Sequence, residues 1–429
     1  MTIRRAKPLA LRLFTPGFAA VLTLTLAGCA TPVSQSSIEP PASFATAPAD
    51  SQQEPELAWW DSFGDPVLSD LVRRAARENR DIRIAVERVR AARAGETISR
   101  SALMPSIGAS VTGTDRSTGR DAAFKQGNPD TRGASAGLDV SWEIDLSGRL
   151  RAGAAAAAAE AAAAEHGARG VRMLVVSDVA THYFTLVGAL RQLEAMRAIS
   201  AAQEETLRLV TARLRAGLAT QFDVERAQTE AARAQAAIPP LETLAAVSRH
   251  RIAVLIGEQA AHAARIVPQS REVAVPVARA GQPAALLERR PDLLALKAQL
   301  DAANARRQQA AAEWFPRLFL SAVFGRDKLE LNDVSIGASR FANASALLAM
   351  PIFNAGRTQA INDVATSAQA EALARYEDGI VRALEDVENA LVALRDERLR
   401  AESMTLAANS AEAAQGRAQS LYDRGQIDL

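Results

Sequence analysis

Landmarks in the first half of this chain recur in the second half at a fixed distance. Gly148-Arg149 in "EIDLSGRLRA" answers to Gly356-Arg357 in "PIFNAGRTQA", 208 residues on. Val179 and Leu186 answer to Val387 and Leu394 at that same distance, and Gly217 in "ARLRAGLAT" answers to Gly425 in "SLYDRGQID". Pro105 in "SALMPSIGAS" likewise corresponds to Pro316 in "EWFPRLFLSA". A constant offset through three landmarks marks a duplication, in which each unit needs its neighbour to bury its apolar seam.

Each half has the same order: a helix, two strand-like segments, then a very long helix. Along Gly137 to Asp145, Leu138, Val140, Trp142 and Ile144 alternate with Asp139, Ser141, Glu143 and Asp145, which is the period of a strand with two unlike faces. Arg317 to Arg326 and Arg340 to Pro351 take the strand roles in the second half, and Val111 to Thr131 reads as an exposed loop rich in turn residues. Taken alone, these strands fit a half-buried soluble sheet as well as a membrane barrel. The helices are clearer. Val179, Tyr183, Leu186, Leu190 and Leu193 are spaced by four and three, as are Ile380, Leu384, Val387, Leu391 and Leu394; this is a coiled-coil seam. No proline interrupts Arg149 to Leu214, so the pattern predicts a helix about 100 Å long. A second helix is expected from Thr220 towards Ile256, broken or kinked at Pro239-Pro240.

Composition agrees with long, close-packed helices. The hydrophobic content of 48% is carried largely by Ala, and aromatics stand at 4%; Ala favours helix but adds little area to a thick core. A net charge of +1 argues against electrostatic nucleic-acid binding. His166, His182, His250 and His262 form no metal-ligand pattern, and there is no P-loop or dinucleotide fingerprint, so neither an enzyme nor a metal or cofactor site is expected.

The N-terminus carries a secretory pattern: Arg4, Arg5, Lys7 and Arg12, then a short apolar run from Phe18 to Leu26. It ends in Leu26-Ala27-Gly28-Cys29, and Cys29 is the single cysteine, which rules out an intrachain disulfide. The motif resembles a bacterial lipobox, with cleavage before Cys29 and lipid on its thiol, and Ala30 after it favours the outer membrane. The expected layout is therefore a signal peptide over 1–28, a lipidated linker over 29–56, a first repeat over 57–270 and a second over 271–429.

After the signal no apolar stretch is expected to be long enough for a membrane helix, so a spanning chain must use strands in a closed barrel. Four strands cannot close, because membrane barrels begin at about eight. Either the chain does not span, or it oligomerises. A trimer with twelve strands would also gather the long helices into a tube.

The stretches "WWDSFGDPVLSDLV", "LLERRPDLLALKAQLDAANARRQQAAAEWFPRL" and "PIFNAGR" resemble the outer membrane factor (TolC-like) family and, within it, the NodT-type lipoproteins of RND efflux systems. The resemblance covers nearly all of the chain after Cys29. It implies an α+β membrane protein: a homotrimer whose twelve-stranded outer membrane β-barrel, four strands per chain, continues into a long periplasmic α-helical barrel. The implied function is a passive outer membrane conduit of a tripartite efflux pump, exporting small toxic compounds. The implied partners are a periplasmic membrane-fusion adaptor, an inner-membrane RND transporter and outer membrane lipid. By the same resemblance, Gly217, Leu218, Ala219, Thr220 and Gly425 take the adaptor-contact role at the helix-hairpin tips, and Tyr422 and Asp423 fall in the gate region. The alternative is a non-conducting coiled-coil lipoprotein of the periplasm. The ending "SLYDRGQIDL" leads to the expectation that the second hairpin lacks the return helix that follows Gly217 in the first.

Overall fold

The structure, a computed structural model, describes residues 32–46, 58–117, 119, 121, 129–269, 275–276, 280–332, 334–424 and 426. The signal segment and Cys29 therefore lie outside the described residues, as does Gly425. The main helices are α1 (Pro66–Glu78), α2 (Arg80–Ser101), α3 (Arg149–Arg215), α4 (Gln221–Ala236), α5 (Ile238–Leu255), α6 (Pro291–Ala311) and α7 (Arg357–Asp423). The strands are β1 (Ser106–Arg116), β2 (Thr131–Ile144), β3 (Arg317–Leu331) and β4 (Val334–Ala349). The order α2-β1-β2-α3 thus returns as α6-β3-β4-α7, as the duplication requires. The described residues fall into two compact units, a sheet unit (within 32–35, 100–156 and 303–373) and a helical unit (within 36–99, 157–302 and 374–426).

In the helical unit the core is built from α1, α3 and α5. Leu68, Leu71, Val72 and Ala75 of α1, spaced to share one helix face, pack with Val179, Tyr183 and Leu186 of α3 and Ile252 and Leu255 of α5. The predicted seam of α3 is thus the buried one, with Leu193 also buried and Leu190 packed at its edge. Helix α1 starts where Asp65 accepts hydrogen bonds from the N–H groups of Val67 (2.9 Å) and Leu68 (3.2 Å), with Pro66 in the first turn. The hydroxyl of Tyr183 donates to the other oxygen of the Asp65 carboxylate at 2.5 Å. Burial first, and then the neighbouring carboxylate, push the Tyr183 phenol well above the ordinary tyrosine range.

The break expected at Pro239-Pro240 falls two residues earlier, at Ala237, because prolines suit the first turn of the following helix but not the last turn of the preceding one. In the second repeat Arg290 of the "RRPD" stretch reaches Asp292 (2.7 Å), Asp386 (3.0 Å) and the Ala383 carbonyl (3.2 Å), tying the start of α6 to α7. Along α7, Ile380 and Leu391 are buried and Leu384, Val387 and Leu394 half-buried. From Arg395 to Tyr422 every residue of α7 is exposed in the single chain.

The sheet unit holds one antiparallel sheet in the order β1-β2-β3-β4. Its strands are longer than alternation alone indicates: β1 continues into the expected loop, β2 begins at Thr131, and the expected gap between Arg326 and Arg340 is mostly strand. The ladder hydrogen bonds continue there regardless of side-chain polarity, but Gly, Ala, Ser and charged residues at those ends erase the apolar period. At the exit from β2, Glu143 pairs with Arg149 (2.8 Å) and Asp145 accepts from the N–H groups of Leu150 (3.2 Å) and Arg151 (2.9 Å), capping α3.

The expectation that no later stretch could make a membrane helix needs correction. Helix α3 contains an 18-residue window of mean hydropathy 1.4, sufficient by length and composition. The helix is rich in Ala, which raises mean hydropathy while contributing little apolar area per residue. Ala152, Ala154, Ala156, Ala161 and Ala163 are buried, the pattern of a helix that neighbours approach closely.

Candidate functional site

Strand register assigns each side chain of the sheet to one of two faces, since directly paired residues share a face. The first face is apolar in successive cross-strand rows. Ile144 pairs with Leu318, and Leu318 with Leu348; the next row is Trp142, Leu320 and Ala346. Above these come Ile107, Val140, Ala322 and Ala344, then Ala109, Leu138, Phe324 and Ala342. Ile107 is 72% exposed, Leu348 62% and Phe324 48%, so nothing among the described residues covers this face at those positions. Successive rows are about 6.7 Å apart along the strand. From the Ile144 row to the Leu138 row is therefore about 20 Å along the strand and to the Ala136 row about 27 Å; with a strand tilt of about 35–45° the latter is a height of about 19–22 Å, most of the apolar band of a membrane barrel. Trp142 lies at one end of the band and donates its indole N–H to the Leu103 carbonyl at 3.0 Å. Amphipathic aromatics favour such an apolar–aqueous boundary.

The opposite face carries the polar rows, alongside Phe319, Val323 and Leu347. Ser106, Ser141, Ser321 and Ser345 stand in a single row across all four strands, with hydroxyl–hydroxyl distances of 2.7 Å for Ser106–Ser141 and for Ser321–Ser345. Thr112, Ser135, Asp327 and Ser339 form a second polar row. Phe341 also lies on this face, its ring lying over Gly137 and Gly325, where a Cβ would stand 3.4 Å and 2.9 Å from the ring edge. Both outer strands of the sheet, β1 and β4, have an edge unpaired among the described residues.

A second feature is the reversal between α3 and α4. The Leu218 N–H bonds to the Arg213 carbonyl (2.8 Å) and the Gly217 N–H to the Leu214 carbonyl (2.9 Å), a Schellman closure with Gly217 at φ 75°. Thr220 then caps α4 in a reciprocal capping box with Asp223. This leaves Leu218 and Phe222 each 69% exposed, with Ala219 half-buried between them. Hydrogen bonds to the hydroxyl and N–H of Thr220 hold the Asp223 carboxyl below the usual range. At the twin position the Gln426 N–H bonds to the Leu421 carbonyl at 2.9 Å, which repeats the first closure 208 residues on. Tyr422 is 39% exposed and Asp423 is the last residue of α7.

The third feature was invisible in sequence. In the sheet unit, Asn304 of α6 and Gln369 of α7, both buried, clamp the extended N-terminal segment. Asn304 accepts from the Ser34 N–H (3.0 Å) and donates to the Ser34 carbonyl (3.2 Å). Gln369 donates to the Pro32 carbonyl (3.2 Å) and to Asn304 (2.5 Å), and accepts from Arg307 (2.7 Å). In the helical unit, Glu388 receives the N–H groups of Ala45 (2.6 Å) and Thr46 (3.2 Å), and these bonds hold its carboxyl below the usual range. Single buried amides on helices otherwise read as ordinary helix residues, so no spacing rule identifies them.

Known proteins share this architecture. Residues 71–258 and 283–429 match the outer membrane efflux protein family. The pyoverdine export outer membrane protein OpmQ of Pseudomonas aeruginosa is 33% identical over 348 residues, 78% of this chain and 71% of that protein. The probable outer membrane lipoprotein SilC of Salmonella typhimurium is 29% identical over 373 residues, 87% of this chain and 80% of that protein. The solved structure of the outer-membrane channel OprN superposes with a TM-score of 0.82 at 28% identity, covering 93% of this chain and 90% of that one. With duplicated α2-β1-β2-α3 units, a two-faced sheet with unpaired edges and these matches, the chain belongs to the outer membrane efflux protein family.

Proposed function

We propose that three copies of this chain pair β1 of one with β4 of the next, closing a twelve-stranded barrel that is a passive efflux conduit through the outer membrane. The observation that carries the reading is the sheet itself: long unpaired edges and an exposed apolar face are a liability for a lone chain. Closure removes both, setting the apolar rows against lipid and the serine row around an aqueous lumen. The exposed half of α7 finds partners in the same assembly. The two repeats, 57–270 and 271–429, supply one hairpin each.

Cys29 is the proposed site of lipid attachment, supported by the lipobox resemblance and by the likeness to SilC. The tip residues Gly217, Leu218, Ala219 and Thr220, with Gly425 at the second tip, are the proposed contacts for a periplasmic membrane-fusion adaptor, itself joined to an inner-membrane RND transporter. Leu218 and Phe222 offer the apolar anchors such a contact needs. Tyr422 and Asp423 are assigned to the gate. The conduit does no chemistry, and the pump supplies both energy and choice of cargo.

Detergent extraction with sizing, followed by planar-bilayer recording, tests this reading. A trimer that conducts ions is expected. A monomer released by removal of the lipid, with no conductance, would instead mark a periplasmic coiled-coil lipoprotein.

A further inference from the structure

The apolar face of the sheet ends in cations. Beyond the Leu138–Phe324 row, Arg326 stands between Ala136 and Arg340, with Val111 completing the row. One step further out Lys328 stands between Ala134 and Ala338, and then Arg132 between Asp115 and Glu330. Arg132, Arg326, Lys328 and Arg340 are all exposed. Arg132 pairs with Asp115 (3.1 Å) and Lys328 with Glu330 (3.1 Å). Arg326 and Arg340 face one another directly and have no acidic partner among the described residues. Among the described residues of this end, Arg116 and Asp327 are on the opposite, polar face, and Asp121 and Asp130 lie in the connection between β1 and β2.

Like charges directly opposite in a strand pair repel, and an arginine on a lipid-facing surface costs free energy unless it meets a polar partner. Both costs vanish if an anion sits between the two guanidiniums, which present planar forks matched to phosphate. Position selects the anion. On the conduit reading, on which this inference rests, the hairpin ends face outwards, and the row lies at the outer end of the apolar rows, where the lipid tails give way to the outer headgroups. The outer leaflet of that membrane is built from phosphorylated glycolipid.

We infer that Arg326 and Arg340, flanked by Lys328 and Arg132, form a binding site on the barrel exterior for the phosphate of an outer-leaflet phosphoglycolipid of the lipid A class. Arg326 and Arg340 hold the phosphate and supply the site's net positive charge, Val111 and Phe324 contact the first part of the acyl chains, and the flanking ion pairs add further donors at the rim. The site would fix the outer rim of the barrel against the leaflet, independently of any anchor at the N-terminus.

The test uses the full chain purified in detergent, titrated with bis-phosphorylated lipid A and read by native mass spectrometry and by a fluorescent lipid analogue. The Arg326→Gln/Arg340→Gln variant is expected to bind roughly thirtyfold more weakly, the loss of two interfacial cations. Arg116→Gln on the opposite face should bind as the parent does. Dephosphorylated lipid A should bind the parent as weakly as the phosphorylated lipid binds the double variant, and millimolar inorganic phosphate should not compete. Equal binding by parent and double variant overturns the inference, as does competition by inorganic phosphate, which would mark a free-anion site. Bilayer recording of the same preparations separates the two claims. A parent that conducts but shows no phosphate-dependent lipid binding sinks this inference alone, whereas a parent that neither trimerises nor conducts sinks the conduit reading and this site with it.

Discussion

Replacing Asn304 with Leu tests the clamp on the N-terminal segment. The side chains are similar in size, so α6 keeps its packing while the segment loses both bonds at Ser34, the N–H donated at 3.0 Å and the carbonyl accepting at 3.2 Å. Each such bond is worth about 0.5–1.5 kcal/mol net. Their loss makes opening of the segment easier by about 1–3 kcal/mol, which is about 5- to 150-fold in its open population. Gln369 keeps its own bond to the Pro32 carbonyl, so the segment should loosen rather than leave. Hydrogen exchange read by mass spectrometry reports this directly, because exchange of the Ser34 amide requires its bond to Asn304 to open. Exchange there should accelerate within that range in Asn304→Leu. The Ile38 amide, held locally by the Ser36 hydroxyl at 3.2 Å, should change little. An unaltered Ser34 rate, with the protein otherwise folded, would refute the claim that Asn304 holds the segment. The consequence for function is positional: Cys29 lies three residues before Pro32, so the clamp decides where a lipid on that cysteine can reach.

Other expectations follow from the same geometry. Tyr183→Phe removes a hydrogen bond to a buried carboxylate and should cost about 1.5–3 kcal/mol, read as a lowered thermal midpoint in detergent. Because the phenol is held neutral in the fold, its contribution is complete below about pH 10 and is lost as pH rises towards its elevated folded value. The parent midpoint should fall over that alkaline range more steeply than that of Tyr183→Phe, and parallel curves would argue against the assignment. The Glu388 carboxyl is held below the usual range by the Ala45 and Thr46 amides. Its hold on them is present at neutral pH and weakens as pH drops below about 4.3, which should appear as peptic cleavage after Phe44 that speeds up on acidification more in the parent than in Glu388→Gln. Gly217→Ala meets no neighbour within 4 Å, so its cost is the left-handed backbone alone, about 1–2 kcal/mol. Exchange of the Leu218 amide should quicken about 5- to 30-fold with little shift in the thermal midpoint, and a large global loss would mean the tip is not a separable unit.

What could be read in advance depended on how strongly each residue's environment is imposed by period. The seam of α3 was legible because Val179, Tyr183 and Leu186 must repeat every three or four residues to meet α1 and α5. The tip was legible because Gly217 has a twin and a Schellman closure favours glycine. Strand lengths were not legible, since the ladder from Thr131 to Arg132 and from Asp327 to Leu331 is held by backbone bonds that any side chain permits. The Asn304–Gln369 clamp and the facing of Arg326 on Arg340 were hidden for a different reason: each joins residues set by register or tertiary packing, which a linear pattern does not encode.

The register also says why the duplication is needed at all. Every residue of β2 from Thr131 to Ile144 pairs without interruption to β3 from Leu331 back to Leu318, so the join between the repeats is as continuous as the hairpin within the first, whereas the hairpin within the second repeat carries a bulge at Lys328/Glu330. A lone hairpin is marginal in any solvent, and three or more strands with an apolar face are needed for independent stability. One repeat provides two strands and half of each polar row; fusion of two provides four, with Ser141 of the first meeting Ser321 of the second at the join. The fused sheet still exposes two edges and cannot curl shut by itself. On the proposed ring, the chemistry that joins the repeats within one chain is therefore the same that would join one chain to the next, with the β1 and β4 edges left to finish it.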